Sequence, residues 1–182
     1  MKSPVQSNRN GFTLMEMLVT ITIIAVAATV VAPALQDDGR LRLMAASSVL
    51  SSDIELAQVM TISYPNEPVV VRFDPSSRKY WLAYASAPDT PITREGDGSP
   101  YEVTFGQGRA ASAADVDIAL SELSDNTLSF NAQGGLTNFT STPAIQLSRT
   151  GGAITLSIAP TTGTVTETVG TTSGESSAIA SE

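Results

Sequence analysis

From Phe12 to Leu35 the chain runs for 24 residues with one charged side chain, Glu16, and only Thr13, Thr20, Thr22 and Thr29 as other polar groups. At about 1.5 Å rise per residue a helix of this length covers roughly 36 Å, enough for a hydrocarbon core of about 30 Å. The run therefore reads as a transmembrane helix. A buried core helix of a soluble protein is the other outcome, but such helices ordinarily keep a polar face and this one has none. A carboxylate at mid-membrane costs about 2.5 to 3.5 kcal/mol, less near a helix end, so Glu16 calls for a functional partner.

The flanks give the run a direction. Ahead of it lies MKSPVQSNRNG, with Lys2 and Arg9 and no acid, and just beyond it come Asp37 and Asp38. The positive-inside bias holds the amino end in the cytoplasm and sends the remainder out. A secretory signal cleaved after the apolar stretch is an alternative, with a weak small-residue site at Val31 to Ala34. It leaves Glu16 without a role.

The stretch GFTLMEMLVTITIIAVAATVVAPAL resembles the prepilin motif shared by type IV pilins and the pseudopilins of type II secretion systems. The resemblance implies that a prepilin peptidase cuts between Gly11 and Phe12 and that Phe12 becomes the N-methylated amino terminus. Glu16 is then the fifth mature residue, and Pro33 falls where many members carry a helix-kinking proline. Cleavage creates an α-amino group with an ordinary pKa of about 8. The resemblance implies a contact between that amine and Glu16 of a neighbouring subunit. Because both charges must be desolvated to meet in low dielectric, the pair sets register more than it adds stability.

Composition bounds the rest. Of ten basic and eighteen acidic residues, removal of Lys2 and Arg9 with the leader leaves eight against eighteen, a net charge of −10. Such a chain repels phosphate backbones, and no nucleic-acid partner is expected. Cysteine and histidine are both missing from the sequence. Disulfide staples, Cys/His zinc sites and His-dependent nucleophile systems are thereby excluded. No cofactor and no enzymatic activity are expected. Asp115 and Asp117, two apart in an alternating strand pattern, read as a solvated face with Val116, Ile118 and Leu120 inward.

After the span, helical periodicity continues to about residue 63, with Leu43, Leu50, Ile54 and Ala57 on one face and Asp53 and Glu55 elsewhere on the wheel. Gly39 is a point where the helix could break, and Pro65 and Pro68 end it. From Val69 the pattern is β. Residues 69 to 84 form a hairpin around Asp74 and Pro75, and strands follow at 101–105, 116–123, 127–131, 144–149, 153–158 and 164–167. Gly151-Gly152 supplies a two-residue turn between two of them. The expected fold is α+β and pilin-like: a long N-terminal helix, transmembrane half and amphipathic half, packed on antiparallel sheet. The expected parts are a leader at 1–11, a span at 12–35, an extracytoplasmic head at 36–167 and a flexible tail from 168.

The carboxyl half, LSFNAQGGLTN and then AIQLSRTGGAITLSIAPTTGTVTE, is similar to the ending of the FimT/GspH group of minor pilins and pseudopilins, through Phe130, Gly134, Thr162, Gly163 and Val165. Thr164 departs from that pattern, standing where a basic residue is frequent. Some FimT-like proteins bind DNA through basic tails; here the tail is small, polar and acidic. The loop REGDGSPYE gathers Glu95, Asp97 and Glu102, oxygen ligands of the kind calcium takes, but without EF-hand spacing, and reads as a solvated loop. The resemblance implies a minor pseudopilin of the type II secretion system. The implied location is the bacterial inner membrane, single-pass with a periplasmic head. The implied partners are prepilin peptidase, other pseudopilins in a filament and the inner-membrane assembly platform. A minor pilin of a type IV pilus, acting in pilus assembly, adhesion or DNA uptake, is the alternative.

Overall fold

The computed structural model describes residues 13–34, 38–94, 96, 98–137, 139 and 141–170, with the side chains of its first helix described to Ala27. The chain divides between Asp38 and Gly39 into two units. The first contains helix α1 (Leu14–Ala34). From Thr13 to Ala27 every side chain is exposed, including Leu14, Ile21, Ile23, Ile24 and Val26. Apart from Glu16 and its threonines the helix is apolar around its whole circumference, a pattern that suits an apolar surrounding.

The second unit is an α+β head. Helix α2 (Asp38–Ser63) is followed by β1 (Val69–Asp74), β2 (Lys79–Tyr84), β3 (Glu102–Thr104), β4 (Asp117–Ser121), β5 (Thr127–Ser129), β6 (Ala144–Arg149), β7 (Gly152–Ile158) and β8 (Val165–Gly170). Two four-stranded antiparallel sheets result, ordered β3-β2-β1-β5 and β4-β6-β7-β8. Period-2 alternation sends Val69, Val71, Phe73, Tyr80 and Leu82 of the first sheet and Ile145, Leu147, Ile154, Leu156 and Ile158 of the second into one core. Leu43, Leu50, Ile54 and Ala57 of α2 enter it as well, as their spacing implies.

Four details differ from the sequence reading. Asp53 is buried, at 1 % exposure, because it lies three residues after Leu50 and four before Ala57 and so shares their face. Gly39 does not break α2; it is helical, and a side chain there would meet Arg149 Nη1 at 3.0 Å. The β6–β7 turn is Thr150-Gly151, with Gly152 already in the strand opposite Arg149 and Gly151 at φ 95°. Finally, β8 runs to Gly170, three residues past the expected end of the head, because Thr168, Val169 and Gly170 pair with Thr155, Ile154 and Ala153. Residues 171–182 of the expected tail lie outside the described residues.

Two anchors tie α2 to the sheets. The buried Thr61 hydroxyl accepts from Val69 N–H at 2.9 Å and lies 2.9 Å from Ala57 O, fixing the start of β1 against the helix end. Glu167 on β8 accepts from Ser47 Oγ at 2.5 Å and Ser51 Oγ at 3.2 Å.

Candidate functional site

At the amino end, Thr13 caps α1. Its Oγ1 accepts from the Glu16 backbone N–H at 3.2 Å, and its carbonyl accepts from Met17 N at 3.1 Å. Thr13 and Glu16 therefore occupy the first and fourth places of a capping-box sequence, and the carboxylate stands in the first turn, where the helix dipole favours negative charge. This local role escaped the sequence reading, although T-x-x-E before an apolar run is its signature. Thr20 and Thr22 donate to Met17 O at 2.9 Å and Leu18 O at 2.7 Å, so neither hydroxyl is left unpaired along an apolar helix. Gly11 and Phe12, the expected cleavage and methylation positions, lie outside the described residues. Among the described residues, no helix is long and apolar enough to cross a membrane. The apolar run of the sequence extends beyond the side chains described for α1.

In the head, two of the residues singled out in the carboxyl half of the sequence, Gly134 and Thr162, meet at one side chain. Gln58 of α2 donates through Nε2 to Gly134 O at 2.6 Å and Thr162 O at 2.8 Å, so one amide clasps two loops to the helix. The first loop is closed by Asn131, whose Oδ1 accepts from Gln133 N and Gly135 N, and Leu136 N bonds across to Pro160 O at 2.7 Å. Gly134 and Gly163 both sit at positive φ, 86° and 68°. Phe130 is buried nearby in chain order, bridged to Leu136, and Val165 pairs with Ile158. Gln58 itself carries no sequence signal. It is a half-buried polar position on a helix flank.

A second polar cluster is built on the buried Asp53. Tyr80 Oη donates to it at 2.6 Å and Tyr101 Oη at 2.8 Å, and Arg109 Nη2 forms an ion pair with it. Burial, and then the Asp53 charge, push the Tyr80 hydroxyl far above its usual range; burial, and then its hydrogen bond to Asp53, raise Tyr101. A phenol held protonated in the fold but free to ionise in the unfolded chain costs stability as pH rises above the unfolded value of about 10. Below that pH it contributes no slope. We expect the head to lose about 1.4 kcal/mol for each pH unit above 10 through Tyr80 alone. Urea unfolding from pH 8 to 11 checks this, and Tyr80→Phe should flatten the dependence while Tyr101 and Arg109 still hold Asp53.

The remaining sequence candidates are dispersed or neutralised. Glu95 and Asp97 lie outside the described residues; Glu102, the third calcium candidate, is 3.6 Å from Lys79 Nζ. Among the described residues no three potential ligands gather for a metal. Arg72, Arg78 and Lys79, the densest basic cluster of the sequence, are paired with Asp89, Asp117 and Glu102. Asp115 and Asp117 are exposed, and both face arginines: Asp115 lies 3.6 Å from Arg42 and 3.9 Å from Arg149, and Asp117 2.6 Å from Arg78. They form no carboxylate pair.

A family model described as the prokaryotic N-terminal methylation motif matches residues 6–32. The chain carries this motif. Among solved structures, the minor pseudopilin EpsH from the Type 2 Secretion System of Vibrio cholerae is similar to it at 10% sequence identity and a TM-score of 0.46, over 71% of this chain and 97% of that one. No curated protein matches the chain. The motif match covers Gly11, Phe12 and Glu16 and ends inside the apolar run, so it bears on the amino-terminal element and not on the head.

Proposed function

We propose that the chain is a minor pseudopilin, a structural subunit of a type II secretion pseudopilus that takes part in protein export and carries out no catalysis. The observation that carries this reading is the methylation motif at 6–32 with Glu16 as the one charged residue, in the first turn of an otherwise apolar helix. In this reading Gly11 and Phe12 flank the prepilin peptidase cut, residues 12–35 anchor the subunit in the inner membrane, and the head from residue 36 lies in the periplasm. Phe12 receives the methyl group. Glu16 meets the Phe12 amine of a neighbouring subunit as the chain leaves the membrane for the filament, under the action of the inner-membrane assembly platform. An α+β head with no cysteine, no histidine and paired surface arginines supports a structural subunit over a nucleic-acid binder or a nucleophilic enzyme.

The test is a chromosomal deletion complemented by the wild-type gene or by Glu16→Val. Deletion should abolish export of a type II substrate to the medium while surface pili persist; loss of pili with normal export would assign the chain to a type IV pilus instead. Glu16→Val should leave the protein in the membrane fraction. Valine removes a charge from the apolar run, and Thr13 bonds the backbone N–H of residue 16, which any side chain retains. Removing one member of a buried charge pair costs up to about 3 to 5 kcal/mol, so incorporation into filaments should fall by about tenfold or more. Loss of Glu16→Val from the membrane fraction would show that the carboxylate serves insertion rather than assembly.

A further inference from the structure

Beside the Asp53 cluster, an open groove of about 360 Å³ is lined by Arg94, Ser99, Glu102, Gln107 and Arg109 among others. Among the described residues its charges do not balance. Arg109 is matched by Asp53 and Glu102 by Lys79, whereas Arg94 has no carboxylate within ion-pair distance among the described residues. The Arg94 guanidinium lies 4.6 Å from the Tyr101 ring centroid and that of Arg109 5.0 Å, so both stack on one ring and lie within about 10 Å of each other. Arg94 Nε is buried and has no hydrogen-bond partner among the described residues. A guanidinium presents a planar fork of N–H donors, a geometry that fits a carboxylate.

We propose that this groove is a docking site for an acidic side chain presented by a segment of a partner protein, with Arg94 as the recognising residue and Arg109, already anchored by Asp53, as the second cation. Its volume admits one or two side chains and not a folded element. Pro100 and Val103 add apolar lining that a bare inorganic anion would not use. The chain from residue 36 onward carries eight basic and seventeen acidic residues, and that field repels multiply charged anions and acidic copies of the same head. A single carboxylate on an otherwise uncharged segment meets less of this repulsion.

The test uses the full-length chain in detergent micelles, followed by NMR. The probes are a blocked Gly-Glu-Gly peptide, its Gly-Gln-Gly counterpart and inorganic phosphate. The glutamate peptide should produce saturable shifts of the Tyr101 ring and the Arg109 side chain, and Arg94→Gln should weaken it by at least about fivefold. Arg94→Lys, which keeps the charge but loses the planar fork of donors, should weaken it nearly as much, and it serves if the glutamine variant lowers the melting temperature. Equal binding of the glutamine peptide, unchanged affinity in both variants, or no saturable shift would overturn the proposal. Phosphate binding as tightly as the peptide would overturn its assignment to a protein partner.

Discussion

Gly163→Ala is expected to unfold the head or leave it destabilised by at least about 3 kcal/mol, measured by denaturant unfolding against wild type. Two independent effects converge on this position. Its φ of 68° lies in the left-handed region, where a Cβ adds about 1 to 2 kcal/mol of strain. The added methyl would also collide with the Gly134 carbonyl oxygen and with Gln58 Nε2. The carbonyl belongs to a backbone pinned by Asn131 on one side and by Gln58 on the other, so it has little room to withdraw. Moving Gln58 aside would leave Gly134 O and Thr162 O without its two donations, at about 1 kcal/mol each. Gln58→Ala is the control. It removes the clasp without the clash and should cost about 2 kcal/mol, clearly less than Gly163→Ala.

That clasp also marks where sequence reasoning stops. Gly134 was legible as a turn glycine between alternating strands, Thr162 and Gly163 were named only through the resemblance of the ending, and every expected strand is present. What joins them is Gln58, 76 residues from Gly134 and 104 from Thr162 in sequence. No local pattern distinguishes it from a solvated helix position. Asp53 failed differently. Its helical angle already placed it with Leu50 and Ala57, but a lone carboxylate is assigned to water unless partners are known, and Tyr80, Tyr101 and Arg109 come from three separate later segments. Thr13 and Glu16 show the opposite case, a capping pair visible in four residues and obscured by the apolar run around it. Local chemistry and periodicity were thus readable, and pairings that depend on the closed tertiary fold were not.

Gly11→Val is expected to abolish maturation almost completely, leaving full-length precursor in the membrane and no chain beginning at Phe12. A peptidase that cuts at the junction of a polar leader and an apolar helix must bring its reactive groups against the backbone of residue 11. Glycine allows that approach, and a β-branched side chain obstructs it while stiffening the backbone. The consequence for assembly follows from charge. In uncut precursor the nitrogen of Phe12 is a neutral amide, with no α-ammonium to meet Glu16 of a neighbour, and Lys2 and Arg9 remain on the leader. Incorporation should therefore fail in Gly11→Val even though membrane insertion and the head are unaffected. Intact-mass measurement of the membrane-extracted protein reads this directly: wild type should lack residues 1–11 and be heavier by one methyl group than the unmodified mature chain, and Gly11→Val should retain the leader without the methyl. A wild-type protein beginning near Gln36 would instead identify a signal peptide removed after the apolar run. The assignment of Glu16 to a filament contact would then be withdrawn along with the assignment of the anchor.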